Sequence, residues 1–296
     1  MHSVLSFVNR LYDRNLNRFA FDEEFRPNAY LRAVLPKLKI YWITGASSGI
    51  GEALAYELAK PGNALILSAR SAEKLSALKE KIGSHAEVAL LPFDLADVNA
   101  IPEHVENALS FFGQIDVLIN NAGFSQRSPA IETAESVERE IMELNYFAPV
   151  ALSKALLPHF IERKAGHIVV VSSIAGKFGF TLRSSYAAAK HALHGYFEAL
   201  RLEMKDVPVY ITMVCPGRVR TNISYNARKG DGSSHNVLDD GQRKGISAES
   251  CAHSIVKAIN SKKYDVLIGG AELLPVYLKR FCPPLFYWLI KKINAT

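Results

Sequence analysis

Apolar and polar positions follow two patterns along this chain. Short, nearly unbroken apolar runs occur at Lys39–Ile43, Ala64–Ser68, Glu87–Phe93, Val117–Asn120, His167–Ser172, Val209–Cys215 and Asp265–Ile268. Such runs predict parallel strands covered on both faces. Between them lie stretches with helical spacing: Ile50–Lys60, Ala72–Ile82, Asn99–Phe112, Ser136–Arg163, Ser185–Lys205 and Ala248–Asn260. Strand–helix alternation predicts an α/β class. The architecture is a single doubly wound, seven-stranded parallel sheet with helices on both faces and right-handed crossovers.

The pattern also divides the chain. Residues 1–38 form an N-terminal extension, with a loose middle at Arg26–Pro27–Asn28 and Pro36 near its close. Residues 39–270 read as one domain, without repeat or linker. Residues 271–296 are an apolar C-terminal segment expected to pack on the domain, on a partner subunit or on a membrane surface. Val4, Leu5, Phe7, Val8, Leu11 and Tyr12 share one helical face, and Phe281–Ile290 is apolar ahead of Lys291 and Lys292. Residues Asn222–Gly245 break the regularity. They are rich in Gly, Ser, Asp, Asn, Arg and Lys, and read as a mobile loop or a lid.

Composition narrows the function classes. The chain has 296 residues, 49% hydrophobic and 22% charged, which is ordinary globular composition. The net charge is +6, but the basic residues are dispersed, which argues against nucleic-acid binding. Cys215, Cys251 and Cys282 are far apart and form no CxxC, so neither a disulfide framework nor a metal site is expected. That fits a reducing, cytoplasmic setting. No stretch reaches the ~20 apolar residues that span a bilayer. Asn9, Arg10, Asp13 and Arg14 interrupt the N-terminal apolar run before it could serve as a signal core. Peripheral contact with a membrane stays open.

The chemistry begins at Thr44–Gly45–Ala46–Ser47–Ser48–Gly49–Ile50–Gly51, between the first strand and the first helix. Glycines allow a sharp turn and close approach of the backbone to an anion. The free N–H groups of the helix start, with the helix dipole, then point at it. Ser47 and Ser48 add hydroxyl donors. Nineteen residues beyond Gly51, at the end of the second strand, stands Arg70. An acidic residue there would bind a ribose 2′-OH, whereas a guanidinium grips a 2′-phosphate. The reading is therefore NADP(H) rather than NAD(H); the alternative is a solvated strand-end arginine and an unphosphorylated cofactor. Asp94 follows the third strand and either meets the adenine edge or caps the next helix. Asn121–Ala122–Gly123 follow the fourth strand, Ser172–Ser173 the fifth and Pro216–Gly217 the sixth. Ligands of open α/β sheets bind outside the carboxyl ends of the strands, where all these signals converge.

Tyr186 and Lys190 lie four apart, on one face of a helix. A tyrosine pKa near ~10 is too high for proton exchange at neutral pH, and an ammonium ~6 Å away at an effective dielectric of ~20 favours the phenolate by ~3 kcal/mol. Tyr186 thus becomes a plausible general acid and base. Ser173, thirteen residues earlier, could hold the substrate oxygen against it, with neighbouring Ser172 pointing the other way. Asn145 lies inside a long helical run, where Asn is a poor helix former. It either caps a break or serves a polar site.

Together, Thr44–Gly51, Asp94, Asn120–Asn121–Ala122–Gly123, Asn145, Ser173, Tyr186, Lys190, and Pro216–Gly217 with Thr221 resemble the short-chain dehydrogenase/reductase family over roughly Lys39 to Gly270. The resemblance implies a Rossmann-type fold and a catalytic tetrad of Asn145, Ser173, Tyr186 and Lys190. It also implies that Lys190 binds the nicotinamide ribose, that Asn145 supports a water relay to it, and that backbone around Val219 and the Thr221 hydroxyl hold the carboxamide. Asn-Ala-Gly-Phe-Ser-Gln-Arg-Ser and Leu-Pro-His-Phe-Ile-Glu-Arg-Lys are similar to a branch of membrane-associated reductases acting on steroids, retinoids and other lipophilic carbonyls. The N-terminal extension and the apolar end depart from the family pattern and bear on its usual tetramer; a homodimer or homotetramer is expected.

The expected function is hydride transfer between NADP(H) and a small, apolar carbonyl or alcohol. The pocket would be built from Phe124–Arg127, Ala175–Leu182 and the Asn222–Gly245 loop. A catalytically silent NAD(P)-sensing protein on the same fold is the alternative, and the intact reacting set argues against it. An epimerase or dehydratase would more often carry TGxxGxxG and a longer C-terminal domain.

Overall fold

A computed structural model describes residues 38–291. The expected N-terminal extension, with its apolar face from Val4 to Tyr12, and the chain end beyond Lys291 lie outside the described residues.

Seven strands form one sheet: β1 Lys39–Thr44, β2 Asn63–Ser68, β3 Glu87–Leu90, β4 Val117–Asn120, β5 Gly166–Val171, β6 Val209–Pro216 and β7 Asp265–Ile268. The order is β3-β2-β1-β4-β5-β6-β7 and every neighbouring pair is parallel. The order reverses direction between β1 and β4, so a crevice opens there at the carboxyl ends. Ten helices are named here: α1 Gly49–Leu58, α2 Ala72–Ile82, α3 Ile101–Phe112, α4 Glu135–Met142, α5 Ala148–Arg163, α6 Ser184–Glu203, α7 Asp240–Arg243, α8 Ala248–Asn260, α9 Leu274–Phe281 and α10 Pro283–Ile290.

The continuous apolar strands have a simple cause. Successive side chains point to opposite faces, and both faces are covered. Tyr41, Ile43, Leu65, Leu67 and Val169 face α1, α2 and α8 through Leu54, Leu75 and Ile255. Ile40, Trp42, Ile66, Ile168 and Met213 face α3, α5 and α6 through Val105, Leu156 and Phe197. Trp42 is fully buried and its Nε1 donates to Ser68 Oγ at 2.9 Å. Burial of a side chain that size stabilises by on the order of 2–3 kcal/mol, and the buried N–H is satisfied.

Local signals set several boundaries. Ser71 caps α2 by accepting from the Lys74 amide at 3.3 Å, and Gly83 follows its last turn. Ser247 caps α8 by accepting from the Ser250 amide at 3.1 Å. The helix expected over Ser136–Arg163 is interrupted: a π-helical turn, Glu143–Phe147, joins α4 to α5. Such a turn accommodates one extra residue without ending the helix, and it carries Asn145. Strand β3 stops at Leu90, although the Leu91 and Phe93 amides still donate to the Leu67 and Ala69 carbonyls.

The C-terminal segment closes over one end of the sheet. Phe286 of α10 is buried and meets the Phe178 ring edge-on at 5.4 Å. Tyr277, Phe281, Tyr287 and Trp288 remain exposed. Among the described residues no helix is long and apolar enough to cross a membrane.

Candidate active site

The crevice between β1 and β4 holds a cavity of about 690 Å³. Its phosphate end is built by the turn after β1. Gly45 has φ +65°, a conformation that favours glycine, and a Cβ there would meet Ala122 Cα at 2.8 Å. A Cβ on Gly51 would sit 2.2 Å from the Gly45 carbonyl oxygen and 2.6 Å from Asn121 Nδ2. Gly51 therefore sets the turn from beneath; Gly45, Ser47, Ser48, Gly49 and Ile50 line the cavity itself. Ser48, at the start of α1, makes no side-chain capping hydrogen bond, so the amides of the first turn are left for a ligand.

A brace from β4 fixes this turn. Asn121 Nδ2 donates to the carbonyls of Thr44 and Gly45 at 3.0 and 3.3 Å. The amides of Asn121 and Ala122 donate to Thr44 Oγ1 at 3.0 and 3.2 Å. Asn120 Nδ2 points away, to Ser153 Oγ at 3.0 Å. Arg70 and Asp94 line the cavity beyond the ends of β2 and β3. Asp94 Oδ1 accepts from the Ala96 amide at 3.0 Å, so it shapes its own turn while facing the cavity.

The reacting end is organised around α6. Gln126, fully buried, accepts from the Ser185 amide at 2.9 Å and donates to Thr133 Oγ1 at 2.8 Å. Ser185 Oγ donates to Glu138 Oε1 at 3.0 Å. These bonds fix the first helical turn, and with it Tyr186. Tyr186 and Lys190 are both buried and both line the cavity. Ser173, just past β5, lines the cavity with them, and its side chain favours the Tyr186 phenolate. It also accepts from the Ala175 amide at 3.1 Å. Ser172 faces the other way and donates to the Lys190 carbonyl at 3.2 Å.

Lys190 Nζ donates to the Val171 carbonyl at 2.9 Å and lies 5.8 Å from the Tyr186 ring centroid. Burial draws the ammonium down to about 8. Burial raises the Tyr186 hydroxyl above its ordinary value; the Ser173 side chain, then Arg127 and Arg183, pull it back. Asn145 is buried behind Gly123, where a Cβ would meet Asn145 Oδ1 at 2.3 Å and Lys190 Nζ at 3.6 Å. Opposite, Pro216, Gly217, Val219 and Thr221 line the cavity after β6, and Thr221 Oγ1 donates to the Val219 carbonyl at 3.4 Å.

The family profile described as short chain dehydrogenase matches residues 39–232. The chain belongs to the short-chain dehydrogenase/reductase family of oxidoreductases. It is 40% identical over 279 residues to dehydrogenase/reductase SDR family member 7B of Rattus norvegicus, covering 91% of this chain and 84% of that one. A short-chain dehydrogenase/reductase from Burkholderia phymatum, solved in complex with NAD, superposes with a TM-score of 0.75 at 24% identity, covering 88% and 97% of the two chains. One from Sphingobium yanoikuyae, solved in complex with NADPH, gives 0.69 at 25% identity, covering 88% and 98%.

Within this short-chain dehydrogenase fold, every catalytic and cofactor-site residue expected from sequence lines the cavity except Gly51, which underlies it. The substrate end uses Phe124, Ser125 and Arg127, then Ala175, Phe178 and Phe180, with Asn222, Ile223, Asn226 and Asp239 from the irregular loop. Leu182 is left out of the lining. Sequence reasoning missed Arg183 and the contribution of the C-terminal segment, whose Leu274, Pro275, Leu289 and Ile290 complete the wall. Arg183 directly precedes α6 in Leu-Arg-Ser-Ser-Tyr, a weak positional signal. No local pattern marks the C-terminal residues. The irregular loop is tied down: Arg127 Nε and Nη2 donate to Asp239 Oδ2 at 2.9 and 2.6 Å.

His194, Glu198 and Asp265 bring ligand atoms within 4.8 Å of one another outside this cavity. Asp265 pairs with Arg201 at 3.5 Å and with Lys177 at 4.0 Å, so the group already has cationic partners.

Proposed function

We propose that this chain is an NADP(H)-dependent oxidoreductase acting on a small, apolar carbonyl or secondary alcohol. The observation that carries the reading is that Ser173, Tyr186 and Lys190 line the same cavity as the glycine-rich turn. The uncapped first turn of α1 and the Gly45–Gly51 cradle fit a dinucleotide phosphate. Gly45, Ser47, Ser48, Gly49 and Ile50 would hold the diphosphate, and Arg70 the 2′-phosphate. Asp94 would meet the adenine, with Asn121, Ala122 and Gly123 beneath the ribose. Lys190 would bind the nicotinamide ribose, and Pro216, Gly217, Val219 and Thr221 the carboxamide.

When bound, the cofactor supplies or accepts the hydride. Tyr186 protonates the substrate oxygen in reduction and takes the proton back in oxidation. Ser173 holds that oxygen against the phenol. Asn145 stiffens the loop carrying Gly123 and Phe124 and supports proton supply toward Lys190. Phe178, Phe180, Leu274 and Leu289 favour an apolar substrate.

Tyr186→Phe is expected to lower turnover by at least about 100-fold while NADPH binding, followed by its fluorescence, persists. Full activity in that variant ends the reading.

Two further proposals accompany it. Exposed Tyr277, Phe281, Tyr287 and Trp288, near Lys279, Arg280 and Lys291 in the chain, suit peripheral contact with an anionic bilayer. Loss of vesicle co-flotation in Phe281→Glu checks it. The proposed assembly is a homodimer or homotetramer, read by light scattering.

A further inference from the structure

The segment after β6 is gripped by two side chains from elsewhere in the chain. Its backbone is anchored first. The Gly217 amide donates to the Ile268 carbonyl of β7 at 2.7 Å. The Ile246 amide donates to the Arg218 carbonyl at 3.0 Å, and the Arg220 amide donates to the Ile246 carbonyl at 2.8 Å. Between these anchors the Arg218 amide donates to Glu272 Oε1 at 3.1 Å, and Gln242 Nε2 donates to the Val219 carbonyl. Glu272 lies just beyond β7 and Gln242 lies in α7. Gly217, Arg218, Val219, Gln242 and Glu272 all line the cavity.

Glu272 occupies a fitted place. A Cβ on Gly217 would stand 2.5 Å from Glu272 Oε1, and one on Gly269 would stand 2.6 Å from the same oxygen. Two residues without side chains thus leave room for the carboxylate. Burial works to raise the Glu272 carboxyl, but the Arg218 amide leads the groups that outweigh it, and the carboxyl stays below its ordinary value. It is therefore an anion at pH 7, and an anion accepts from a backbone amide more strongly than a neutral oxygen does.

The two grips bracket one group. The Val219 carbonyl receives both Gln242 Nε2 and Thr221 Oγ1, which uses its two lone pairs. Among the described residues the Val219 amide donates no hydrogen bond. The peptide unit before it is held by Glu272 and the one after it by Gln242. We propose, on the reading that this segment holds the nicotinamide carboxamide, that Glu272 and Gln242 are positioning residues that aim the Val219 amide at that group. A loop amide that can swing must be ordered when the ligand binds, and fixing the neighbouring peptide units beforehand removes that cost. Neither residue was singled out from sequence, because each acts on a backbone group far away in the chain.

The test compares two ligands that differ only in the ring. NADPH carries the nicotinamide, and 2′-phospho-ADP-ribose is the same dinucleotide without it. Calorimetric titration of the full chain with each gives both affinities. Glu272→Ala removes the acceptor and is expected to weaken NADPH about tenfold, while 2′-phospho-ADP-ribose changes by less than about twofold. Gln242→Leu should behave likewise. Glu272→Gln keeps an oxygen for the Arg218 amide and should restore most of the loss. A merely structural role would weaken both ligands alike. Equal losses for the two ligands, or unchanged NADPH affinity in either variant, overturn the proposal. If Glu272→Ala lacks native circular dichroism, Glu272→Asp, whose carboxylate falls one methylene short of the amide, takes its place. If the wild type binds NADH and not NADPH, NADH and ADP-ribose form the pair and the same comparison decides. A wild type that binds neither nicotinamide dinucleotide refutes the cofactor reading and this proposal with it, whereas a failure confined to the variants refutes this proposal alone.

Discussion

Asn145 and Phe124 exchange two hydrogen bonds: the Phe124 amide donates to Asn145 Oδ1 at 3.2 Å, and Asn145 Nδ2 donates to the Phe124 carbonyl at 3.0 Å. The π-helical turn offers the Asn145 side chain to the loop after β4, and Gly123 lets the two approach. Asn145 therefore caps no break, because the helix runs on through it. It sits at a helix irregularity, and its amide serves a polar contact. Asn145→Leu removes both partners from a half-buried backbone segment and is expected to destabilise the chain by about 1–2 kcal/mol. Urea unfolding measures the loss, and an unchanged midpoint would contradict it.

Gly51 is the least replaceable residue of the phosphate turn. A Cβ 2.2 Å from the Gly45 carbonyl can be relieved only by moving backbone, because Asn121 closes the other side at 2.6 Å. Gly51→Ala should cost about 1–3 kcal/mol. It should also weaken dinucleotide binding at least about tenfold by opening the turn. Calorimetric titration with NADPH gives the binding term. Wild-type affinity in the variant would show that the turn has slack.

Arg70 is exposed at the cavity edge, beyond the end of β2. Arg70→Glu exchanges a phosphate-gripping group for a repelling one. NADPH affinity should fall by about 10–100-fold while NADH affinity changes little or improves. Parallel titrations with the two dinucleotides check this. Equal losses for both would assign Arg70 a general electrostatic role and remove the basis for NADP(H) preference.

His167 makes stability depend on pH. Its Nε2 is 2.8 Å from Thr212 Oγ1, and Thr212 donates its own proton to the Lys263 carbonyl, so the imidazole is the donor. Burial first, then Lys39 and Lys262, push His167 down to about 4. The unfolded chain takes up a proton near ~6.5 and the folded chain only near 4, so stability is full above the unfolded value and falls as pH drops between the two. Acidification from pH 7 to 4.5 should cost about 2–3 kcal/mol through this residue. His167→Asn should flatten that part of the unfolding profile. An equally steep profile in the variant would assign the acid sensitivity elsewhere.

Much of this was legible in the chain because its signals are local. Val117–Asn120 and Asp265–Ile268 are bounded by changes from apolar to polar residues, and the strands match those limits. Ala72–Ile82 and Ala248–Asn260 begin at serine caps, and the helices match likewise. The π-helical turn at Asn145 escaped the reading because one inserted residue leaves a helical apolar pattern almost unchanged. The position of Tyr186 over Lys190 followed from helical spacing, but its environment did not.

From its own order of residues this chain determined the strand–helix alternation, the glycine turn, and the placement of reactive groups at strand ends. Each rests on steric preference or burial acting over a few neighbours. Tertiary structure alone decided the rest: that Arg127 meets Asp239 112 positions away, that Arg183 shares the same carboxylate oxygen, and that Leu289 and Ile290 return to wall the cavity. Packing chooses among many chemically equivalent partners for a charge or an apolar side chain, and nothing in their immediate neighbours records which one it chose.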